Sequence, residues 1–346
     1  MTSSNLSVQV REAPGQELTG TPAAIRAKAE QRGFFRNALL FVLIGIVLYL
    51  LLYAGTDRLI YQYAKRNRFY NVKTAQSAEY DYVILGASHA AVFDYADMNA
   101  QLQAMTGNKI LNLSIVGSGP VVERFLLEYF LAGHRTKNVL YVVDAFAFNS
   151  REWNEKRFED VRLFDRAPFD PTLAGVMLQK DVTRWAGWDY VNGFSRINNA
   201  DRFKPDVTDD EAQRFAKTVY RPVKQIDQQR IDYLYPKNLD PQALPHYLGE
   251  FENLIAFLKQ QNIRLVVIKP PIPTRMYNLL PNEAQFDSAL KSMLDREGIE
   301  FHDFSLVDND DKFFFNPDHL NQAGVLNFYQ SHLKSVLMSG TETAQQ

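Results

Sequence analysis

The chain has 346 residues, enough for two average domains or one large α/β domain with insertions, and its 46% apolar and 13% aromatic content suffices for a sizeable core. A net charge of −2 leaves no basic excess to neutralise phosphates, which argues against a nucleic-acid partner. The absence of cysteine excludes disulfides, thiol catalysis and thiolate metal sites, and leaves the compartment open.

Residues 1 to about 24 are rich in Ser, Thr, Gly, Pro and Gln and read as disordered. With Arg26, Lys28, Arg32 and Arg36 they make a disordered basic tail over 1–36. From Asn37 to Thr56 no residue is charged, and about 20 helical residues cross the roughly 30 Å hydrocarbon core, so 37–56 is expected to be one transmembrane helix. Tyr49, Tyr53, Tyr61 and Tyr63 supply aromatic anchors at the far interface. A cleaved signal peptide is not indicated, because the run is long, lies behind a polar tail and is followed by no A-x-A-like site. Residues 57–78 read as a juxtamembrane linker facing solvent or headgroups. Its Arg58, Lys65, Arg66 and Arg68 nearly cancel the basic residues ahead of the span, so flanking charge alone does not orient the helix.

A globular α/β domain is expected over 79–338. Tyr82–Leu85 is a short apolar run of the kind that forms a parallel strand buried on both faces, and it runs into Gly86-Ala87-Ser88-His89. Asp94 is the expected N-cap of a helix over Tyr95–Met105. Lys109–Ile115 gives a second strand closed by Val116-Gly117-Ser118-Gly119, and Pro120 opens the next helix. Asn138–Val143 is a third strand, ending in Asp144. Pro245–Gln261 is helical, Ile263–Ile268 is a fourth strand, and a helix over about 282–296, a short strand Glu300–Asp303 and a helix Asn321–Met338 follow. This alternation implies a mostly parallel sheet with helices on both faces. Residues 339–346 are expected to be a disordered tail.

About 149–236 breaks the alternation and reads as an inserted, partly helical subdomain near the carboxyl edge of the sheet. It holds all three tryptophans, Trp153, Trp185 and Trp188. Trp185, Trp188, Tyr190 and Phe194 form either a stacking platform for sugar rings or the small core of the insert.

The turn at Ser88 places a hydroxyl at the carboxyl end of a strand, where open α/β sheets build their sites. Such a serine either caps the following helix or acts as a nucleophile, and a nucleophile needs a base that is itself oriented. His319, in Asn316-Pro317-Asp318-His319-Leu320-Asn321, precedes the last helix and can reach the same sheet edge. His134, His246 and His302 sit in helical, connector or strand contexts. His89 is expected to project away from Ser88 in a structural or rim role.

Gly86-Ala87-Ser88, Asn112 and Gly117 after the second strand, and Asp318-His319-Leu320 together resemble the SGNH/GDSL hydrolase superfamily. The likeness is nearest to its membrane-anchored branch, which includes the alginate O-acetylation proteins and the D-alanyl transfer protein of teichoic acid synthesis. It covers residues 79–338 apart from the insert. It implies a flavodoxin-like three-layer fold, Ser88 as nucleophile, His319 as general base, and the amides of Ser88 and Gly117 as oxyanion donors. It also implies an N-terminus inside a cytoplasmic membrane, a domain outside it, an envelope polysaccharide as substrate and a membrane-bound O-acyltransferase as acyl donor. No metal or organic cofactor is implied. The chain departs from the pattern twice. The asparagine expected just after the third strand is replaced by Asp144, leaving the later Asn149 as a donor, and the acid expected three residues before the histidine is Asn316. Either Asn316 or Asp318 is then left to orient His319. An esterase or O-acyltransferase using an acyl-serine, a lipid esterase held at the membrane, and a catalytically silent scaffold or glycan-binding accessory are the readings open to this sequence.

Overall fold

The computed structural model describes residues 22–64, 66–160, 163–199, 212–216 and 219–342. The chain forms two compact units, one ending at Ala54 and one starting at Gly55. A single helix, Pro22–Tyr63, holds the apolar run, and with a mean hydropathy of 2.6 over its most apolar window it is long and apolar enough to cross a membrane. It is longer than the expected span at both ends. Residues 22–36, expected to be disordered, are helical, while the sequence before Pro22 lies outside the described residues. The run Arg26–Arg36 contains neither proline nor a cluster of turn formers, so nothing stops the helix there.

The stretch 57–78 is not a solvated linker. A short helix, Arg68–Lys73, is capped by Asn67, whose side chain accepts from the amides of Phe69 and Tyr70. Phe69 packs against Phe164, Phe125 and Tyr129 with ring centroids 5.0, 6.1 and 6.1 Å away. Burying such a ring contributes roughly 1.5–3 kcal/mol. Arg68 is buried too, donating to the Ser114 carbonyl at 2.8 Å and to Asp94 at 2.6 Å. That ion pair occupies Asp94, which therefore does not cap a helix. The chain passes instead through left-handed Ala96 and Asp97, and the helix begins at Met98 and runs to Thr106.

Five parallel strands form the sheet: β1 Glu79–Gly86, β2 Ile110–Asn112, β3 Arg135–Val142, β4 Arg264–Lys269 and β5 Glu300–Asp303. Their order, β2-β1-β3-β4-β5, is the flavodoxin-like order. Side chains alternate with period two. Val83, Leu85, Val139, Tyr141 and Val267 enter one core, beneath helices Pro120–Leu131, Ala243–Gln260 and Glu283–Glu297. Tyr82, Ile84, Leu140, Val266 and Ile268 enter the other, beneath Met98–Thr106 and the C-terminal helical run from Gln322. The run ends at Glu342, so 339–342 are helical rather than a tail, and 343–346 lie outside the described residues. The described part of the insert is helical and irregular, with helices Pro171–Gln179, Arg184–Asn192, Phe194–Asn198 and Lys224–Leu234.

Candidate active site

β1 is flanked by β2 on one side and β3 on the other, so the connections leave its carboxyl end in opposite directions and open a crevice there. Gly86 closes β1 with φ of +137°, and a Cβ would stand 2.6 Å from the Val142 carbonyl oxygen, so the chain leaves β1 against β3 only as glycine. Ser88 then opens the short helix Ser88–Ala91, where first-turn amides lack helical partners. Asn112, at the end of β2, donates to the Ala90 carbonyl at 2.9 Å and accepts from Ser114, joining this turn to the loop beside it.

That loop forms one wall of the crevice. Gly117 has φ of +66° and lies flat against the Trp153 ring, which a Cβ would approach to 2.9 Å. Behind it, the Ser118 hydroxyl lies 2.8 Å from both the Ile115 carbonyl oxygen and Glu123 Oε1. One hydroxyl proton serves only one of the two, so the other contact requires a protonated Glu123. Burial, opposed by the hydroxyls of Tyr141 and Ser118, pushes that carboxyl up to about 7. A raised folded pKa takes stability away as pH rises from the unfolded value through 7, so Glu123→Gln, which mimics the neutral acid, should match the wild type near pH 5. It should exceed it by about 2–3 kcal/mol at pH 8. Thermal unfolding of both proteins at the two pH values checks this, and parallel curves would reject it.

The opposite wall carries His319. Asn316 Oδ1 accepts from the amides of Asp318 and His319 at 3.1 and 2.8 Å, forming the turn that aims the imidazole. His319 Nδ1 faces Asn316 Oδ1 at 3.1 Å, Asn316 Nδ2 at 2.9 Å and Asp318 Oδ1 at 3.2 Å. The Asp318 oxygen is buried and otherwise unpartnered among the described residues, which favours the proton on Nδ1 and leaves a lone pair on Nε2. Nε2 is buried and has no hydrogen-bond partner among the described residues. Asp318 is only 1% exposed. Burial alone would raise its pKa, but the charges of Arg230, His319 and His89 outweigh this and hold it well below the usual carboxylate range.

Helix Lys224–Leu234 of the insert covers the crevice. Arg230 Nε donates to Asp318 Oδ2 at 2.8 Å, while Gln229, Tyr233 and Leu234 face the cleft. Trp153 donates its indole N–H to the Leu234 carbonyl at 3.0 Å, and Tyr233 packs on its ring at 5.5 Å. The resulting cleft, about 430 Å³, is lined by Ser88, Gly117, Asn316 and His319 on the sheet side and by these insert residues and Arg214 on the other. Its volume falls in the range of small-molecule sites.

The structure thus brings Ser88, Gly117, Asn316 and His319 to one cleft, with Asp318 directly behind. Asn149 is elsewhere: its amide donates to the Ala145 carbonyl at 2.8 Å, closing a helical turn, and it does not line the cleft. The tryptophans expected to form a platform also stand apart. Trp185 and Trp188, 85% and 56% exposed, do not line the cleft. Tyr190 is buried, with its hydroxyl between the Pro168 carbonyl and the Asp170 amide at 2.7 Å each. The aromatic residues at the cleft are Phe146, Trp153 and Tyr233. His89 corrects the rim expectation: it is buried, its Nδ1 lies 2.6 Å from Asp144 Oδ1, and its ring stacks on His319 at 4.6 Å. Arg230 carried no signal in the sequence, whereas Asp144, an acid ending a buried strand, was visible but unassigned.

His89, Asp318 and His319 bring one potential ligand atom each within 4.8 Å of one another. Two of these groups are already engaged, however. Arg230 holds the Asp318 carboxylate, and His89 Nε2 meets the Asp318 carbonyl oxygen at 3.2 Å.

No family model matches the chain, and no curated protein is similar to it in sequence. Among solved structures, a candidate acylhydrolase from Bacteroides fragilis NCTC 9343 is similar with a TM-score of 0.35 and 11% identity, over 76% of this chain and 89% of that one. The chemistry of the site is therefore read from its own geometry.

Proposed function

We propose that this protein is a membrane-anchored serine esterase or O-acyltransferase of SGNH type that acts on an envelope polysaccharide through an acyl-serine at Ser88. The observation that carries the reading is His319: buried, backed at Nδ1 by Asp318, with an Nε2 that is unpartnered among the described residues, and lining the same cleft as Ser88. In this reading Ser88 Oγ attacks the ester carbonyl and its proton passes to His319 Nε2, while Asp318 stabilises the imidazolium. The amides of Ser88 and Gly117 donate to the oxyanion, each contributing roughly 3–4 kcal/mol to lowering the barrier. The alcohol leaves with the proton from His319. Water or a sugar hydroxyl then gives its proton to Nε2 and attacks the acyl-serine, and the acyl–Oγ bond breaks as Ser88 Oγ takes that proton back from His319.

Trp153 and Tyr233 beside Gln229 and Arg214 offer aromatic faces and polar groups together, a lining suited to a sugar ring. A membrane-bound O-acyltransferase is the proposed acyl donor, and the domain is proposed to lie outside the cytoplasmic membrane. A membrane-impermeant fluorophosphonate tests chemistry and orientation together. It should modify Ser88 in right-side-out membrane vesicles, as read by peptide mass spectrometry, and His319→Ala should abolish the adduct. Modification only after lysis would reverse the orientation. No modification in either preparation would favour the silent scaffold.

A further inference from the structure

Two imidazoles lie face to face beside Ser88, and the chemistry proposed for His319 leaves His89 without a task. The rings of His89 and His319 stack with centroids 4.6 Å apart and planes 28° from parallel. His89 Nδ1 lies 2.6 Å from Asp144 Oδ1. Its Nε2 lies 3.2 Å from the Asp318 main-chain oxygen and 3.6 Å from Asp318 Oδ2. Both ring nitrogens therefore face oxygen acceptors. A neutral imidazole has one N–H and one lone pair, so either tautomer would set a lone pair against an oxygen, whereas imidazolium satisfies both contacts.

Charge balance agrees. The ionised groups facing His89 are Asp144 beyond β3, Asp318 before the last helix and Arg230 from the insert helix. Among the described residues, the Asp144 and Asp318 carboxylates lie on the two nitrogen sides of the ring and favour a positive charge on it. Burial opposes the charge, but the carboxylates of Asp144 and Asp318 together outweigh it and lift the ring above the ordinary histidine value.

We propose that His89 is a positioning residue: clamped by Asp144, it is an imidazolium that sets a fixed positive charge against one face of the stacked His319. A fixed cation against one face of His319 disfavours a second positive charge on that ring. Its N–H also engages Asp318, so the carboxylate is shared between His89, Arg230 and His319 rather than given to His319 alone. This rests on the reading of His319 as the base.

The test has two arms. In the full-length protein in detergent micelles, with ¹⁵N-labelled histidine and His89 assigned from a His89→Gln sample, the His89 nitrogens should both be protonated at pH 7. A neutral His89 tautomer at pH 7 overturns the proposal. In ester hydrolysis, His89→Gln and Asp144→Asn should both move the acidic limb of the pH–rate profile up by about one unit, because each removes the cation that suppresses His319 protonation. Unmoved limbs, or limbs moved down, overturn it as well. The first arm reads ring charge without turnover, so an inactive protein with a charged His89 would sink the proposed reaction and leave the assignment of His89 standing.

Discussion

Ser88→Ala should reduce turnover of a small acetyl ester by the full-length protein to background, with stability changed by less than about 1 kcal/mol. The hydroxyl has no packing role large enough to matter: Ser88 sits at the head of a short helix, facing the cleft. The loss should be in kcat, because the nucleophile acts only as the bond forms, while binding in a cleft walled by Trp153, Tyr233 and Gly117 should persist. Steady-state hydrolysis alongside thermal unfolding checks both halves. Activity retained in the variant would remove Ser88 from the reaction.

Asp318→Asn should cost about 10³–10⁴-fold in kcat, the order seen when a neutral amide replaces the acid of a serine–histidine system. The site predicts more than a lost partner. Among the described residues Asp318 meets Arg230, His319 and His89 together, so its neutral replacement removes the buried carboxylate that these groups share. A stability loss of roughly 3–5 kcal/mol should accompany the kinetic effect. The sign of the pH response is fixed by the same geometry: removing a carboxylate next to the imidazole lowers its basicity, so the acidic limb should move down. Asn316→Asp should do the reverse and more weakly. Its oxygen can still accept the amides of Asp318 and His319, while it adds negative charge near Nδ1. Rate profiles for both variants, measured where each remains folded, check the pair of signs. Equal and small effects would mean that neither side chain governs the histidine.

The layered sheet was legible because its strands are short apolar runs ended by small or polar residues, and such runs form buried parallel strands wherever helices cover both faces. Four of the five strands are strongly apolar. β5, at an edge and only partly buried, is weaker but falls at the expected Glu300–Asp303. Helix boundaries were less legible where a tertiary contact captured the capping residue, as Arg68 captures Asp94 across 26 positions. The same limit applies to the site. Ser88 and His319 stand in short motifs, each with its own local geometry. His89, Asp144 and Arg230 acquire their setting only when segments 55 to 229 positions apart converge, and no local pattern encodes that. The choice among tryptophans failed for a related reason. Trp185 and Trp188 share a helix and look like a pair, whereas Trp153 reaches the cleft only because helix Lys224–Leu234 folds back onto it.

On the proposed membrane-anchored reading, the way Asn67–Lys73 is built into the domain decides how the domain could be shed. Many anchored enzymes are freed by a protease that cuts a slack stalk, and the released domain works in solution. Here the residues that should form a stalk are structural. Phe69 and Val72 belong to the main core, Arg68 ties down the loop after β2, and further upstream Asp57 accepts from the Phe169 amide at 2.7 Å and from Arg196 at 3.0 Å. A cut between Lys73 and Glu79 would leave a furrow where a phenylalanine, a valine and a guanidinium had been. Release of an intact domain requires cleavage ahead of Asn67, within a few residues of the last helical turn at Tyr63. On the proposed reading, the fold therefore favours a domain that stays resident at a membrane over one that is secreted from it.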